Sequence, residues 1–82
     1  MEAQMATFNG YRSWAQWNVS LWLNNDEGLY NIMTTFLKYD RRCGRERIAK
    51  HILTRLHDEN ITHTPDGARY TITGIRAAMR GL

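Results

Sequence analysis

Cys43 is the residue of this sequence with the most reactive surroundings, because four arginines lie within four positions of it. Nearby positive charge favours the thiolate form of cysteine, which is its nucleophilic form. A thiolate catalyst also needs a general base, and the nearest histidine, His51, follows eight positions later. If a helix reached back to Cys43, this separation would be about 12 Å at 1.5 Å per residue, too far for a nucleophile and base pair. We therefore expect no cysteine catalysis.

The cysteine and the three histidines do not predict a metal centre either. A zinc site usually draws on a close ligand pair such as Cys-x-x-Cys or His-x-x-x-His. The candidate ligands are never spaced in this way; they are Cys43, His51, His57 and His63. The glycines are isolated and form no phosphate-binding loop. We predict no catalytic residue, no metal ligand and no cofactor, so the chain is not expected to be an enzyme.

Positive charge is concentrated in one segment. The 82-residue chain has a net charge of +3, but residues 41–57 alone carry six cationic residues and one acid. The preceding residues, 1–40, carry a net charge of −2, and residues 58–82 are neutral. Such a segment is either a solvated helix face or a surface that binds a polyanion or an acidic partner.

The overall composition is that of one soluble domain. With 43% hydrophobic and 23% charged residues, the chain is near the globular average, and 82 residues leave room for a single core. We expect one domain, residues 1–82, in which residues 1–12 form a partly ordered lead-in. No signal peptide or membrane-spanning run is evident, and one cysteine forms no internal disulfide. A cytoplasmic location without a membrane partner is the expectation.

The first predicted helix, Ser13–Leu23, is apolar around most of its circumference. One stripe holds Trp14, Trp17 and Leu21, and the adjoining stripe holds Ala15, Val19, Trp22 and Leu23. Such a helix is usually packed on two faces, so we expect all three tryptophans in the core and Ser13 as the N-cap. In the alternative, one tryptophan is an exposed anchor for a partner.

Two amphipathic helices follow. The second has Asn24 or Asn25 as its cap, and its inward residues between Leu29 and Tyr39 are Leu29, Ile32, Met33, Phe36 and Leu37. After a connection at residues 41–44, the third helix spans Arg45–His57. Its inward residues are Ile48, Ala49, Ile52, Leu53 and Leu56. The basic segment therefore becomes the outer face of the third helix, with Arg41 and Arg42 at its entrance.

The C-terminal part changes to short β-branched runs around Thr64-Pro65-Asp66-Gly67. Proline, aspartate and glycine in this order favour a type I turn with a following bulge, within either a short β-hairpin or an irregular capped loop. Thr73 then caps a last helix, Gly74–Arg80, which buries Ile75 and Met79, with Leu82 as a further candidate for burial. The predicted fold is mainly α: a compact bundle of three helices, a short β-hairpin or capped loop, and a C-terminal helix.

The second half of the chain, residues 45–82, resembles the end of a winged helix-turn-helix domain. The resemblance implies that the third helix enters the major groove of DNA and that the wing contacts the neighbouring backbone. By this likeness Arg47, Lys50, His51 and Arg55 would face DNA, with Arg69 on the wing. The tryptophan-rich first helix and the arginine-dominated turn depart from the pattern.

A second resemblance rests on the run Trp14-x-x-Trp17-x-Val19-x-Leu21 and on the turn Thr64-Pro65-Asp66-Gly67. It is similar to a family of short, uncharacterised proteins of bacteriophages and prophages, which carry both features in this order. The resemblance spans most of the chain. It implies a phage origin and no particular activity.

Two functional hypotheses follow. In the first, the chain is a phage or mobile-element accessory protein that binds and blocks a host protein or ribonucleoprotein machine, of which a CRISPR effector complex is the concrete example. In the second, it is a DNA-binding regulator whose basic helix and hairpin contact phosphates. Both use one basic face, and the chain is expected to be a monomer or a weak homodimer. The residues of this face are Arg41, Arg42, Arg45, Arg47, Lys50, His51, Arg55 and Arg69.

Overall fold

Four α-helices make up most of the fold in the computed structural model, which describes residues 10–80 and 82. They are α1 (Trp14–Asn25), α2 (Glu27–Tyr39), α3 (Arg45–Asp58) and α4 (Ile72–Ala78). A 3-10 helix at Arg41–Cys43 joins α2 to α3, and residues 59–71 form the loop before α4. The prediction of a mainly α fold is confirmed. Of the predicted lead-in, residues 1–12, the first nine residues lie outside the described part of the chain.

The core lies where α1 and α3 pack against the short helix α4, with α2 covering one side. Its largest fully buried side chains include Leu23, Met33, Ile52, Leu56 and Ile75. Small residues on α4 allow a close approach, since a Cβ atom added at Gly74 would lie 3.1 Å from Val19 Cβ. No helix in the described part of the chain is long and apolar enough to cross a membrane.

The buried side of helix α1 is formed by Asn18, Val19, Ser20 and Leu23 and not by the tryptophans. Ser13 caps the helix as predicted, because its hydroxyl accepts a hydrogen bond from the Gln16 amide at 3.2 Å. The prediction of three core tryptophans is wrong: Trp14 is 39% exposed, and the other two are half-buried. Only one face of α1 meets both α4 and the rest of the core, and Val19, which is 1% exposed, lies on that face.

Helices α2 and α3 have the predicted inward faces, but the cap of α2 differs. Asp26 ends α1 by donating its backbone N–H to the Trp22 carbonyl, and its carboxylate accepts from the Leu29 amide at 3.0 Å. A carboxylate at the positive end of the helix dipole is a stronger cap than an amide. Asn24 and Asn25, the predicted caps, remain inside α1 and donate to backbone carbonyls of that helix.

The loop between α3 and α4 contains no β-strand among the described residues, so the hairpin prediction is wrong and the capped-loop alternative describes it better. One isolated bridge joins His63 and Arg69. The turn chemistry is as predicted: the Gly67 amide donates to the Thr64 carbonyl at 2.9 Å, and Gly67 has a φ of +99°. Strands do not extend from this turn because helix ends take up the flanking residues. The Ile61 amide donates to Leu56 of α3.

Helix α4 begins two residues before the predicted start. Its cap is Thr71, which accepts from the Gly74 amide at 3.0 Å, and not Thr73. Ile75 and Met79 are buried as predicted, whereas Leu82 is 44% exposed. The start of α4 is therefore fixed by its cap, Thr71, which directly follows the buried residue Tyr70.

Candidate binding surfaces

Four exposed cations surround the start of α3, and we call this group the basic end: Arg41, Arg42, Arg47 and Lys50. None of the four forms an ion pair with another described residue. Gly44, at φ +87°, allows the sharp entry into α3 and supplies no side-chain cap. Arg47 lies in the first turn of α3, where a cation opposes the helix dipole at a cost of up to about 1 kcal/mol. Arg41 and Arg42 lie in the last turn of the 3-10 helix, where a cation is favourable.

Tyr39 lies beside the basic end and was not predicted from the sequence as a site residue. It ends α2 two positions before Arg41, and its side chain is 74% exposed. The Lys38 ammonium lies 5.4 Å from the centre of its ring. Tyrosine and arginine are both common at the energetic centre of protein interfaces. The sequence signal was weak, because an aromatic residue in the last turn of an amphipathic helix is usually buried.

Two residues of the predicted basic face lie beside carboxylates of the same molecule. His51 Nδ1 lies 3.1 Å from Asp40 Oδ2, which ties α3 back to the end of α2. Arg55 pairs with Glu59 one turn further along α3. Both side chains remain partly exposed, so their pairing is weak in energy but reduces the local positive charge.

Arg45 has a structural role that the sequence did not indicate. Its guanidinium donates to the backbone oxygens of Met79 and Leu82, each at 2.7 Å. Arg45 therefore ties the start of α3 to the end of α4, and the Met79 carbonyl also accepts from the Leu82 amide at 3.0 Å.

Arg69 lies apart from the basic end. Its backbone forms an isolated bridge with the backbone of His63 in the loop. The loop is tied to the C-terminal end of α3 by the hydrogen bond from the Ile61 amide to the Leu56 carbonyl. Arg47 and Leu56 are nine residues apart on α3, which corresponds to about 14 Å. The four cations of the basic end therefore lie on the 3-10 helix and the first two turns of α3, whereas Arg69 lies in the loop that follows α3.

A second basic surface combines residues that are remote in the sequence. Four arginines line a groove of about 620 Å³, which we call the arginine groove: Arg12, Arg45, Arg76 and Arg80. Arg76 also pairs with Glu46 at 3.3 Å, and the Arg80 guanidinium lies 4.7 Å from the ring centre of Tyr11. The only sequence signal was the spacing of Arg76 and Arg80 by four positions on one helix face.

The candidate chemical groups do not assemble into a catalytic or metal site in the described part of the chain. Cys43 is exposed, and its thiol makes no hydrogen bond to a described residue. No group of three or more histidine, cysteine, aspartate or glutamate side chains among the described residues could hold a metal ion.

Comparison with known proteins places the chain in a family. A family model, described as a family of unknown function, matches residues 4–81. The chain belongs to that family, DUF7249. No curated protein and no solved structure matches it.

The DUF7249 match spans both sequence segments that carry the phage resemblance, and these segments touch in the structure. Asn18 and Trp22 of α1 both donate to Oδ2 of Asp66, each at 2.9 Å. The Thr64 hydroxyl donates to Asn18 Oδ1 and accepts from the Ala68 amide. The hydrogen bonds from Asn18 and, second, Trp22 lower the pKa of Asp66 below its usual value. In this DUF7249 member the two segments form one structural unit that anchors the loop to α1.

Proposed function

We propose that this chain is a non-enzymatic accessory protein of a phage or mobile element that binds a host protein or ribonucleoprotein machine and blocks it. The concrete example is a CRISPR effector complex in the host cytoplasm. The observation that carries the proposal is the exposed grouping of Tyr39 with the four cations of the basic end. The phage origin rests on the two sequence segments described above.

Charge and shape at the basic end favour an acidic protein surface as the partner. Positive and negative patches on two proteins speed their encounter and fix their orientation, while a buried aromatic anchor supplies affinity. Tyr39 can be such an anchor because most of its ring is accessible. Exposed arginines around it can pair with carboxylates at the rim of the interface.

DNA binding through α3 is the second candidate, and the outward position of Arg47, Lys50 and Thr54 favours it. We rank it lower for two reasons. The loop between α3 and α4 has no strands to form a wing. The outward face also becomes acidic at Asp58 and Glu59, which would repel phosphates.

The blocking activity can be tested in a panel of bacterial strains that each express one type of CRISPR effector complex and target one phage. We expect the chain to raise the plating efficiency of the targeted phage in at least one strain. The variant Arg47→Gln with Lys50→Gln should lose this effect. A matched variant, Arg55→Gln with Arg69→Gln, removes the same charge elsewhere and should keep it. Plating efficiencies equal to those of an empty vector in every strain would contradict the CRISPR example.

A further inference from the structure

The arginine groove shares no defining residue with the basic end, but the two surfaces adjoin, because Arg45 of the groove and Arg41 of the basic end line one smaller pocket. Its arginines come from the segment before α1, from the first turn of α3, from α4 and from the residues just after α4, and Gln16 and Thr73 add neutral polar groups. None of the described residues that line the groove is acidic. The one described carboxylate that pairs with a groove arginine belongs to Glu46. The groove therefore carries a concentrated positive charge.

Two of the groove arginines are held in place by the fold. Arg45 uses two of its five N–H donors on the Met79 and Leu82 backbone oxygens, so three donors remain. Arg80 stacks over Tyr11, whose hydroxyl is bonded to Ser20 at 2.9 Å. A side chain that is already ordered loses less conformational entropy when a ligand binds.

We infer that the arginine groove binds single-stranded nucleic acid through its phosphates. Guanidinium groups match phosphate oxygens in a two-pronged geometry, and several arginines in one groove suit a ligand that repeats its negative charge. The Arg80 guanidinium, which lines the groove and lies over the Tyr11 ring at 4.7 Å from its centre, provides a flat group among these charges. Unpaired bases stack on aromatic rings and guanidinium planes, so a single strand supplies both the anion and the flat partner.

An acidic protein segment would satisfy the charge of the groove but would leave the planar Arg80 guanidinium without a flat partner. The inference does not rest on the proposed function, because the basic end and the arginine groove share none of their defining residues. A protein partner at the basic end and a nucleic acid strand in the groove are compatible.

Fluorescence anisotropy of a labelled single-stranded oligonucleotide tests the inference. We expect the full chain to bind with a Kd of about 10⁻⁵ M or tighter in roughly 50 mM salt. The variant Arg76→Gln with Arg80→Gln should bind at least about tenfold more weakly, and its salt dependence should fall by about 1.4 in log–log slope, for two lost phosphate contacts. The matched variant Arg55→Gln with Arg69→Gln should bind nearly as the natural chain does.

Controls distinguish the ligand classes and protect against misfolding. The Arg12 guanidinium has no hydrogen-bond partner among the described residues. Arg12→Gln should therefore weaken oligonucleotide binding and leave the melting temperature of the protein unchanged. Unlabelled oligonucleotide should compete far better than a polyglutamate peptide of equal charge or than inorganic phosphate. The inference is overturned if the natural chain does not bind, if both double variants lose affinity equally, or if polyglutamate or inorganic phosphate competes as well as the oligonucleotide.

Discussion

The indole Nε1 of Trp22 donates a 2.9 Å hydrogen bond to Oδ2 of Asp66, 44 positions later in the chain. This bond joins the middle of α1 to the turn of the long loop. The same carboxylate oxygen also accepts from Asn18, so one aspartate holds two side chains of α1. The loop is therefore held in place by polar contacts to α1. The predicted β-hairpin would instead have been held together by hydrogen bonds between its own two strands.

The Asp66 contacts predict a loss of stability in acid. Hydrogen bonds from Asn18 and Trp22 favour the carboxylate and lower the pKa of Asp66 from 3.8 in the folded state. Below that pH the unfolded chain binds a proton at this position before the folded chain does, so the free energy of unfolding falls. The contribution is fully present above the unfolded-state value and is lost as the pH falls through the folded-state pKa.

Thermal melts between about pH 5 and pH 2 measure this effect. We expect Asp66→Asn to lower the melting temperature near neutral pH and to make the melting temperature decrease less as the pH is lowered. Asp58→Asn, which removes an exposed carboxylate with no described hydrogen-bond partner, should leave the acid-induced decrease in melting temperature unchanged. An equally steep fall for Asp66→Asn and the natural chain would contradict the role of the two hydrogen bonds.

Tyr70 predicts a second loss of stability, in alkali. Burial, and second the nearby charge of Asp26, raise the pKa of Tyr70 from 10.0 to about 12. As the pH rises between these values, the unfolded chain releases the phenol proton while the folded chain keeps it, so the free energy of unfolding decreases. A shift of this size corresponds to up to about 3 kcal/mol.

Urea unfolding at a series of pH values from about 9 to 12 tests the role of Tyr70. Tyr70→Phe keeps the buried ring and removes the titrating group, so its stability should decrease less over this range. Tyr30→Phe alters an exposed tyrosine and should behave like the natural chain. If Tyr70→Phe loses as much stability as the natural chain, the buried phenol is not the cause.

Asn18→Ala should destabilise the protein by about 1–3 kcal/mol, because it removes the buried amide group that donates to Asp66 and accepts from Thr64. Asn18 is 1% exposed and bonds to Asp66 and to the Thr64 hydroxyl. Asn31→Ala changes an exposed amide on α2 and should have little effect. Chemical denaturation of both variants measures the difference. Equal stabilities would show that the buried amide adds nothing.

Gly74→Ala tests the close crossing of α1 and α4. Alanine normally stabilises a helix by about 1 kcal/mol relative to glycine. Here the added methyl group would lie 3.1 Å from two carbon atoms of the packed Val19 side chain, and overpacking costs about 1–3 kcal/mol. We expect a net loss of stability in thermal melts, relieved when Val19→Ala is added. A higher melting temperature for Gly74→Ala alone would show that the crossing has spare room.

Residues with a clear helical period could be placed from the sequence. The inward faces of α2 and α3 are correct because Met33 and Ile52 each belong to one apolar stripe with polar residues opposite. The tryptophans could not be placed in the same way. Helix α1 is apolar on most sides, so only the position of α4 decides that Val19 is buried and Trp14 is not.

The binding surfaces could be predicted only where they are local in the sequence. The basic end follows from neighbouring residues at positions 41–50. The arginine groove depends on how α1, α3 and α4 meet, and Arg45 is fixed by carbonyls 34 and 37 positions away. The engagement of His51 by Asp40 likewise depends on the geometry of the 3-10 turn between α2 and α3.

The measurement that tests the central proposal most directly is a quantitative pull-down from host lysate treated with nuclease. We expect a host protein that is retained by the natural chain and by the variant Arg55→Gln with Arg69→Gln. The same protein should be lost with Tyr39→Ala and with Arg47→Gln plus Lys50→Gln, all of them correctly folded. If no host protein distinguishes these variants, the basic end is not the surface through which this chain binds a protein partner.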